Sequence, residues 1–226
     1  MWILGVETAT WTASVGVARD GCAVAERTLR SESSHAPTIL SLIDEVTQAA
    51  GIRVRELDAI AVSAGPGSFT GLRIGLSTAK GLAYASGARV VAVPTLAALA
   101  RAAGPRDGTI CPVLDARKGE IYVAGFCWRD GRLIQTVVEQ AIAPARLAQL
   151  VSPPCTLVGD AVDIYAEVLG QLFAGAATLL SLSQVPPSGA VVAQIGHELL
   201  ASGATSALAE LEPRYVRPSE AELKAG

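Results

Sequence analysis

Two stretches of the chain combine residue types that could do chemistry on a phosphate. The first is Glu7 to Ser14, ETATWTAS, where Thr8, Thr10, Thr12 and Ser14 flank a sharp strand-turn-strand. The hydroxyls and free N–H groups of such a turn can surround a phosphate, and Glu7 could hold a hydrated metal beside it. Threonine also favours strands for steric reasons, so these hydroxyls have an equally direct structural explanation. The second stretch is Ser63 to Gly81, SAGPGSFTGLRIGLSTAKG, which opens with Gly65, Gly67 and Gly71. Its GxGxxxG spacing is neither the dinucleotide fingerprint nor a P-loop, which needs a Gly-Lys-Ser/Thr ending. It retains a helix start, capped by Ser68 or Thr70, whose first N–H groups could accept an anion.

Other chemistry finds little support. Cys22, Cys111, Cys127 and Cys155 are irregularly spaced without a CxxC pair, which disfavours structural zinc. His35 has no partner four residues on, and His197 in GHELL lacks the second histidine of HExxH, so both read as cap or surface residues. No Ser-His-Asp set is suggested by spacing.

The helix after Gly65 raises a different possibility. Gly67, Gly71, Gly75 and Ala79 recur every fourth residue, and a glycine inside a helix costs about 1 kcal/mol relative to alanine. Close approach of another backbone explains such a row, while Leu72, Leu76, Ala79 and Ala83 form an apolar ridge on an adjacent face. One face could meet the home sheet and the other a second helix, or both could pack at home. A bulky side chain at Gly75 separates the two, since an outward groove would lose pairing and an inward one would lose folding.

These residues must be positioned by an α/β chain. Residues 3 to 30 read as three short strands with a hairpin turn at Arg19–Gly21. A helix follows, capped by Ser33 and Ser34 and stopped by Gly51, with Ile39, Leu40, Ile43, Val46 and Ala50 on one face. LDAIAVSA is a buried strand, then come the glycine-rich helix, the strand ARVVAVP and the helix TLAALARAAG, giving βββαβαβα. After Gly104–Gly108 the order begins again with TICPVLDA, EIYVAGFCW, a second RDG turn and RLIQTVVE. The helix APARLAQLV, the strand CTLVG and the helices AVDIYAEVL and AVVAQIGHELLAS complete a shortened copy. The reading is two similar α/β domains, 1–104 and 105–212, with a tail over 213–226.

Half of the 226 residues are hydrophobic and 17% are charged, against about a quarter charged in an average domain. An apolar patch left for a partner would account for this, and so, more simply, would an alanine-rich sequence that raises hydropathy without exposing anything. A formal net charge of -3 argues against a self-sufficient nucleic-acid binder. No basic lead-in precedes the first apolar residues and no long apolar run occurs, so neither a signal peptide nor a membrane span is expected, and the chain reads as cytoplasmic.

Taken together, ILGVETATWTASVGV, SAGPGSFTGLRIGLSTAKGLA, VPTLAAL, VLDARKGEIYVAGF and EPRYVRP, from Ile3 to about Pro218, resemble the TsaB family. These are accessory subunits of the bacterial machinery that makes threonylcarbamoyladenosine in tRNA. The resemblance implies a duplicated actin-like, sugar-kinase-like fold and pairing with the similar subunit TsaD, which transfers the threonylcarbamoyl group to N6 of the adenosine 3′ of the anticodon. The metal-binding HxxxH of TsaD falls on TLAAL, where Thr95 and Leu99 replace both histidines and cannot ligate as imidazoles do. No catalytic residue is carried over.

The resemblance further implies that the chain binds and activates TsaD through helices of its N-terminal domain, with Ile39, Ile43, Gly71, Leu72, Gly75, Leu76, Ala79 and Ala83 as contacts. Alone it could homodimerise by the same surface. The ATPase subunit TsaE would dock on the complex, and tRNA would be met only through it. Where the family more often has aspartate this chain has Glu7, and Asp115 stands where actin-like folds place a phosphate-region aspartate, although Arg117 and Lys118 fill its turn. No resident cofactor is expected. The alternative is an ATP-dependent phosphotransferase of the same fold, using Glu7, Thr8, Asp115 and the Gly65 loop.

Overall fold

The computed structural model describes residues 1–30, 36–214 and 216. Strands β1 (Trp2–Glu7), β2 (Thr12–Arg19) and β3 (Cys22–Arg30) form an antiparallel meander. Its RDG turn places Asp20 and Gly21 at φ of 51° and 79°, the left-handed pair that a two-residue hairpin requires. Strands β4 (Ala59–Gly65) and β5 (Arg89–Pro94) add in parallel, giving the order β3-β2-β1-β4-β5. Every residue of β4 is buried, as a parallel strand covered on both faces demands.

Helices α1 (Ala36–Ala49) and α2 (Phe69–Ser86) cover one face of this sheet, over a core that includes Leu4, Val6, Val15, Ile43, Val46 and Val62. Helix α3 (Thr95–Ala102) follows β5. Leu40, expected on the buried stripe of α1, is exposed, and Leu42 is buried instead. The caps Ser33 and Ser34 lie outside the described residues, as does most of the 213–226 tail.

The second unit repeats the plan. Strands β6 (Thr109–Arg117), β7 (Glu120–Arg129) and β8 (Arg132–Ile142) form the meander, β9 (Cys155–Val158) and β10 (Ala177–Leu180) are parallel, and the order is β10-β9-β6-β7-β8. Three details differ from the sequence reading. Pro144–Gln149 is a 3-10 helix with proline at its start. AVDIYAEVL breaks at Tyr165 into α4 (Ala161–Ile164) and α5 (Ala166–Leu172). Strand β10 was not expected, because four residues at a sheet edge carry too little periodicity to read.

The larger correction concerns α6 (Gly189–Ala201), read as part of a domain spanning 105–212. The compact units are Met1–Ala98 with Pro187–Pro213, and a second beginning at Leu99. Helix α6 lies on the other face of the first sheet, where Val192, Ala193 and Ile195 join Ile3, Ala61 and Val91 in a second core. Glycine permits the approach: a Cβ on Gly16 would overlap the backbone of Gly189 and Ala190. The helix start is then held by a carboxylate from β3. Glu26 Oε1 accepts from Ala190 N (3.0 Å), Ser188 Oγ (2.6 Å) and Ser14 Oγ (3.0 Å), and Gly189 N donates to Ser14 Oγ at 3.0 Å. Negative charge at a helix N-terminus is favourable in its own right.

Glu26→Ala leaves Ala190 N–H and two hydroxyls without their shared acceptor, and should lower stability in urea unfolding by about 2 kcal/mol. Glu45→Ala, an exposed control paired with Arg27 at 3.4 Å, should change it by less than about 1 kcal/mol.

Candidate partner-binding face and the β1–β2 turn

Helix α2 begins at Ser68, whose Oγ accepts from Gly71 N at 3.2 Å, and ends at Gly87 in the left-handed conformation. The turn between β1 and β2 rests on its first two turns. Ser68 N donates to Ala9 O at 2.7 Å and Thr8 Oγ1 donates to Gly71 O at 2.8 Å. A Cβ on Gly71 would overlap the Thr8 carbonyl oxygen, and one on Gly75 would overlap Thr8 Oγ1. The two helical glycines are therefore explained by the chain's own hairpin.

This corrects the expected contact set. Ile39, Ile43, Leu72, Leu76, Ala79 and Ala83 are each 3% exposed or less, and Gly71 and Gly75 are buried with them. All eight pack inside the first unit, so none offers a free surface. The outward face of α2 is made by Phe69, Thr70, Arg73, Ser77, Gly81 and Tyr84. Tyr84 is 85% exposed and Phe69 47%, and the Arg73 guanidinium sits 3.9 Å from the Phe69 ring centroid. A groove of about 470 Å³ runs along this face, lined by Leu40 of α1 and by Phe69, Arg73, Ile74 and Ser77 of α2. The signal was present in the sequence, since Phe69, Arg73, Ser77 and Tyr84 follow helical spacing. A stripe of mixed character next to a row of glycines draws less attention than the glycines do.

The residues expected around a phosphate spend their bonding within the chain. Glu7 is 1% exposed, and Thr8 is fully buried. One oxygen of Glu7 accepts from Ala9 N at 2.6 Å and the other from Ser63 Oγ. Burial pushes the Glu7 carboxyl up to about 7, opposed by these bonds from Ser63 and Ala9. In the second unit, Asp115 Oδ1 accepts from Arg117 N (3.0 Å) and Tyr165 O–H (3.2 Å), and its Oδ2 pairs with the Arg117 guanidinium at 3.3 Å. Asp115 N donates to Asp160 Oδ1 at 2.9 Å. Burial and then the neighbouring Asp115 charge raise Asp160, against the bond from Asp115 N.

Thr95 and Leu99, which the resemblance sets against the TsaD histidines, are buried, and Thr95 Oγ1 accepts from Gly65 N at 3.2 Å. Among the described residues no three His, Cys, Asp or Glu side chains gather to hold a metal ion, and the four cysteines are free. His197 is half-buried rather than on the surface, its ring against Gly21 and its Nδ1 without a hydrogen-bond partner. No helix among the described residues is long and apolar enough to cross a membrane.

Two outcomes follow for stability. Gly75→Ala should destabilise by about 2 kcal/mol through overlap with Thr8, whereas Gly81→Ala, with nothing within 4 Å of its Cβ, should stabilise by up to about 1 kcal/mol. Equal effects in urea unfolding would contradict the inward assignment. Glu7, raised from 4.5 to about 7 on folding, is protonated in the native chain where the unfolded chain has ionised. Native stability should therefore fall as pH rises from 4.5 through 7, by about 3 kcal/mol in all, and Glu7→Gln should remove this decline.

Comparison with known proteins agrees with this architecture. A family model described as TsaD, tRNA N6-adenosine threonylcarbamoyltransferase, matches residues 29–214. The tRNA threonylcarbamoyladenosine biosynthesis protein TsaB of Escherichia coli is 30% identical, covering 99% of this chain and 98% of that protein. Its Bacillus subtilis counterpart is 27% identical over 99% and 97%. The solved structure of YeaZ from Pseudomonas aeruginosa superposes with a TM-score of 0.80 at 24% identity, over 95% of this chain and 99% of that one. Component A of an Acidaminococcus fermentans (R)-2-hydroxyglutaryl-CoA dehydratase shares the fold at a TM-score of 0.53 and 12% identity, over 89% and 99%. The duplicated sheets are thus the actin-like α/β fold, and the chain belongs to the TsaB family of tRNA threonylcarbamoyladenosine biosynthesis proteins.

Proposed function

We propose that this chain is a non-catalytic scaffold subunit that pairs with TsaD and holds it in its active arrangement for threonylcarbamoyl transfer to tRNA. The observation that carries the reading is the outward face of α2, with its exposed Phe69 and Tyr84 and its groove against α1. Exposed aromatics beside an arginine are the residue types that concentrate binding energy at interfaces. The TsaB relatives and the match to the TsaD family model support the choice of partner.

Charge adds to this. Helix α2 carries Arg73 and Lys80 and no acid, while α1 carries Asp44 and Glu45 and no base. A partner related by pseudo-two-fold symmetry, built on the same fold, could set α1 against α2 with opposite charges facing, and a second copy of this chain could do the same when TsaD is absent. TsaE would dock on the assembled pair, and tRNA would be engaged through TsaD. The phosphotransferase alternative loses its residues, since Glu7, Thr8 and Asp115 are already engaged by the chain's own groups.

Light scattering on this chain, on TsaD of the same organism and on their mixture should give a one-to-one complex that forms at the expense of any homodimer. Phe69→Ala or Arg73→Glu should weaken pairing by at least about 30-fold with little change in stability. Full tRNA modification by TsaD without this chain would sink the reading.

A further inference from the structure

Glu7 is a buried carboxyl that the scaffold role leaves unused. Its two oxygens are divided between two segments, one accepting from Ala9 N at 2.6 Å and the other from Ser63 Oγ. Ala9 in turn receives Ser68 N, the cap residue of α2, on its carbonyl oxygen. Ser63 lies two residues before Gly65, whose N–H is held by Thr95. Glu7 thus clamps both walls of the seam from which α2 starts.

We propose that Glu7 is a proton-operated latch on this seam. Protonated, it fixes the β1–β2 turn to the start of α2; ionised, it loosens that hold and weakens the face that α2 presents. The second half rests on the pairing function proposed above. The physical reason is that an ionised carboxylate buried without a neighbouring cation is costly, and the bonds donated by Ala9 N and Ser63 Oγ offset only part of that cost.

The surroundings leave Glu7 isolated. Its opposite in register, Ser14, bonds Glu26 of β3, the nearest ionisable group along this network. Arg19 of β2 and Arg89 of β5 stand at the other end of the sheet, opposite Trp2 and Ala59. Strand β4 offers Ser63, α3 offers Thr95, Arg73 of α2 is exposed, and α6 has no ionisable residue before His197. Burial is the dominant influence on its titration, with the bonds from Ser63 and Ala9 opposing, and the transition falls near 7.

The test is amide exchange of Ala9 and Ser68 in the full chain, corrected for intrinsic rates, at pH 6 and pH 8. The local opening constant should rise about tenfold over this interval, and pairing with TsaD should weaken by up to the same factor. In Glu7→Gln both should stay constant. Ser63→Ala, which removes a bond favouring the ionised form, should move the transition to higher pH and serves if Glu7→Gln does not fold. An opening constant that is unchanged in the wild type, or that rises equally in Glu7→Gln, overturns the latch. Opening that responds as expected while pairing does not overturns its link to α2. Absence of pairing at every pH overturns the scaffold function, and the exchange result still decides the latch.

Discussion

The contact between the backbone at Thr8–Ala9 and the first two turns of α2 is the constraint around which the first unit is arranged. It requires Gly71 and Gly75, because a β-carbon at either position would occupy the space of Thr8. It also fixes the rotation of α2 about its own axis. With the glycine row turned inward, Leu76, Ala79 and Ala83 enter the core, and Phe69, Arg73 and Tyr84 are left facing solvent. The face proposed for TsaD is thus a consequence of how the hairpin sits.

The same hairpin accounts for the absence of an open phosphate site at Glu7 and Thr8. In this chain the hydroxyl of Thr8 and the carbonyl of Ala9 are committed to α2, and the Glu7 carboxyl is committed to Ala9 and Ser63. Groups that could have met a ligand instead hold the fold together. On the opposite face of the sheet, Glu26 does the equivalent work for α6, supplying the negative charge that its N-terminus favours. Two glutamate side chains, one buried and one half-buried, thus anchor the two helices that sandwich β1.

Much of the fold was legible in the residues. Alternation of apolar side chains and the two RDG turns located both meanders to within three residues, and the return of the same order after Gly108 announced the duplication. Gly71 is a site of close backbone approach, as expected, whereas Gly75 makes room for the Thr8 side chain. The direction in which these glycines face was not legible, because a row of small residues has no sign: it fits a partner's helix and a home strand equally well. Leu40 and Leu42 exchanged places for a related reason, since both fall near the edge of the apolar stripe of α1 and packing alone chooses between them.

The sequence by itself determined the elements, their order, the repeat and the family, all of which depend on local periodicity, turn chemistry and motif spacing. Only the tertiary structure decided which face of α2 looks outward, that Glu7 is buried, and that α6 leaves its neighbours in the chain to close the first unit. Those outcomes depend on contacts between residues far apart in sequence, such as Thr8 with Gly71 and Glu26 with Ala190. Neither member of such a pair carries a local mark of the other.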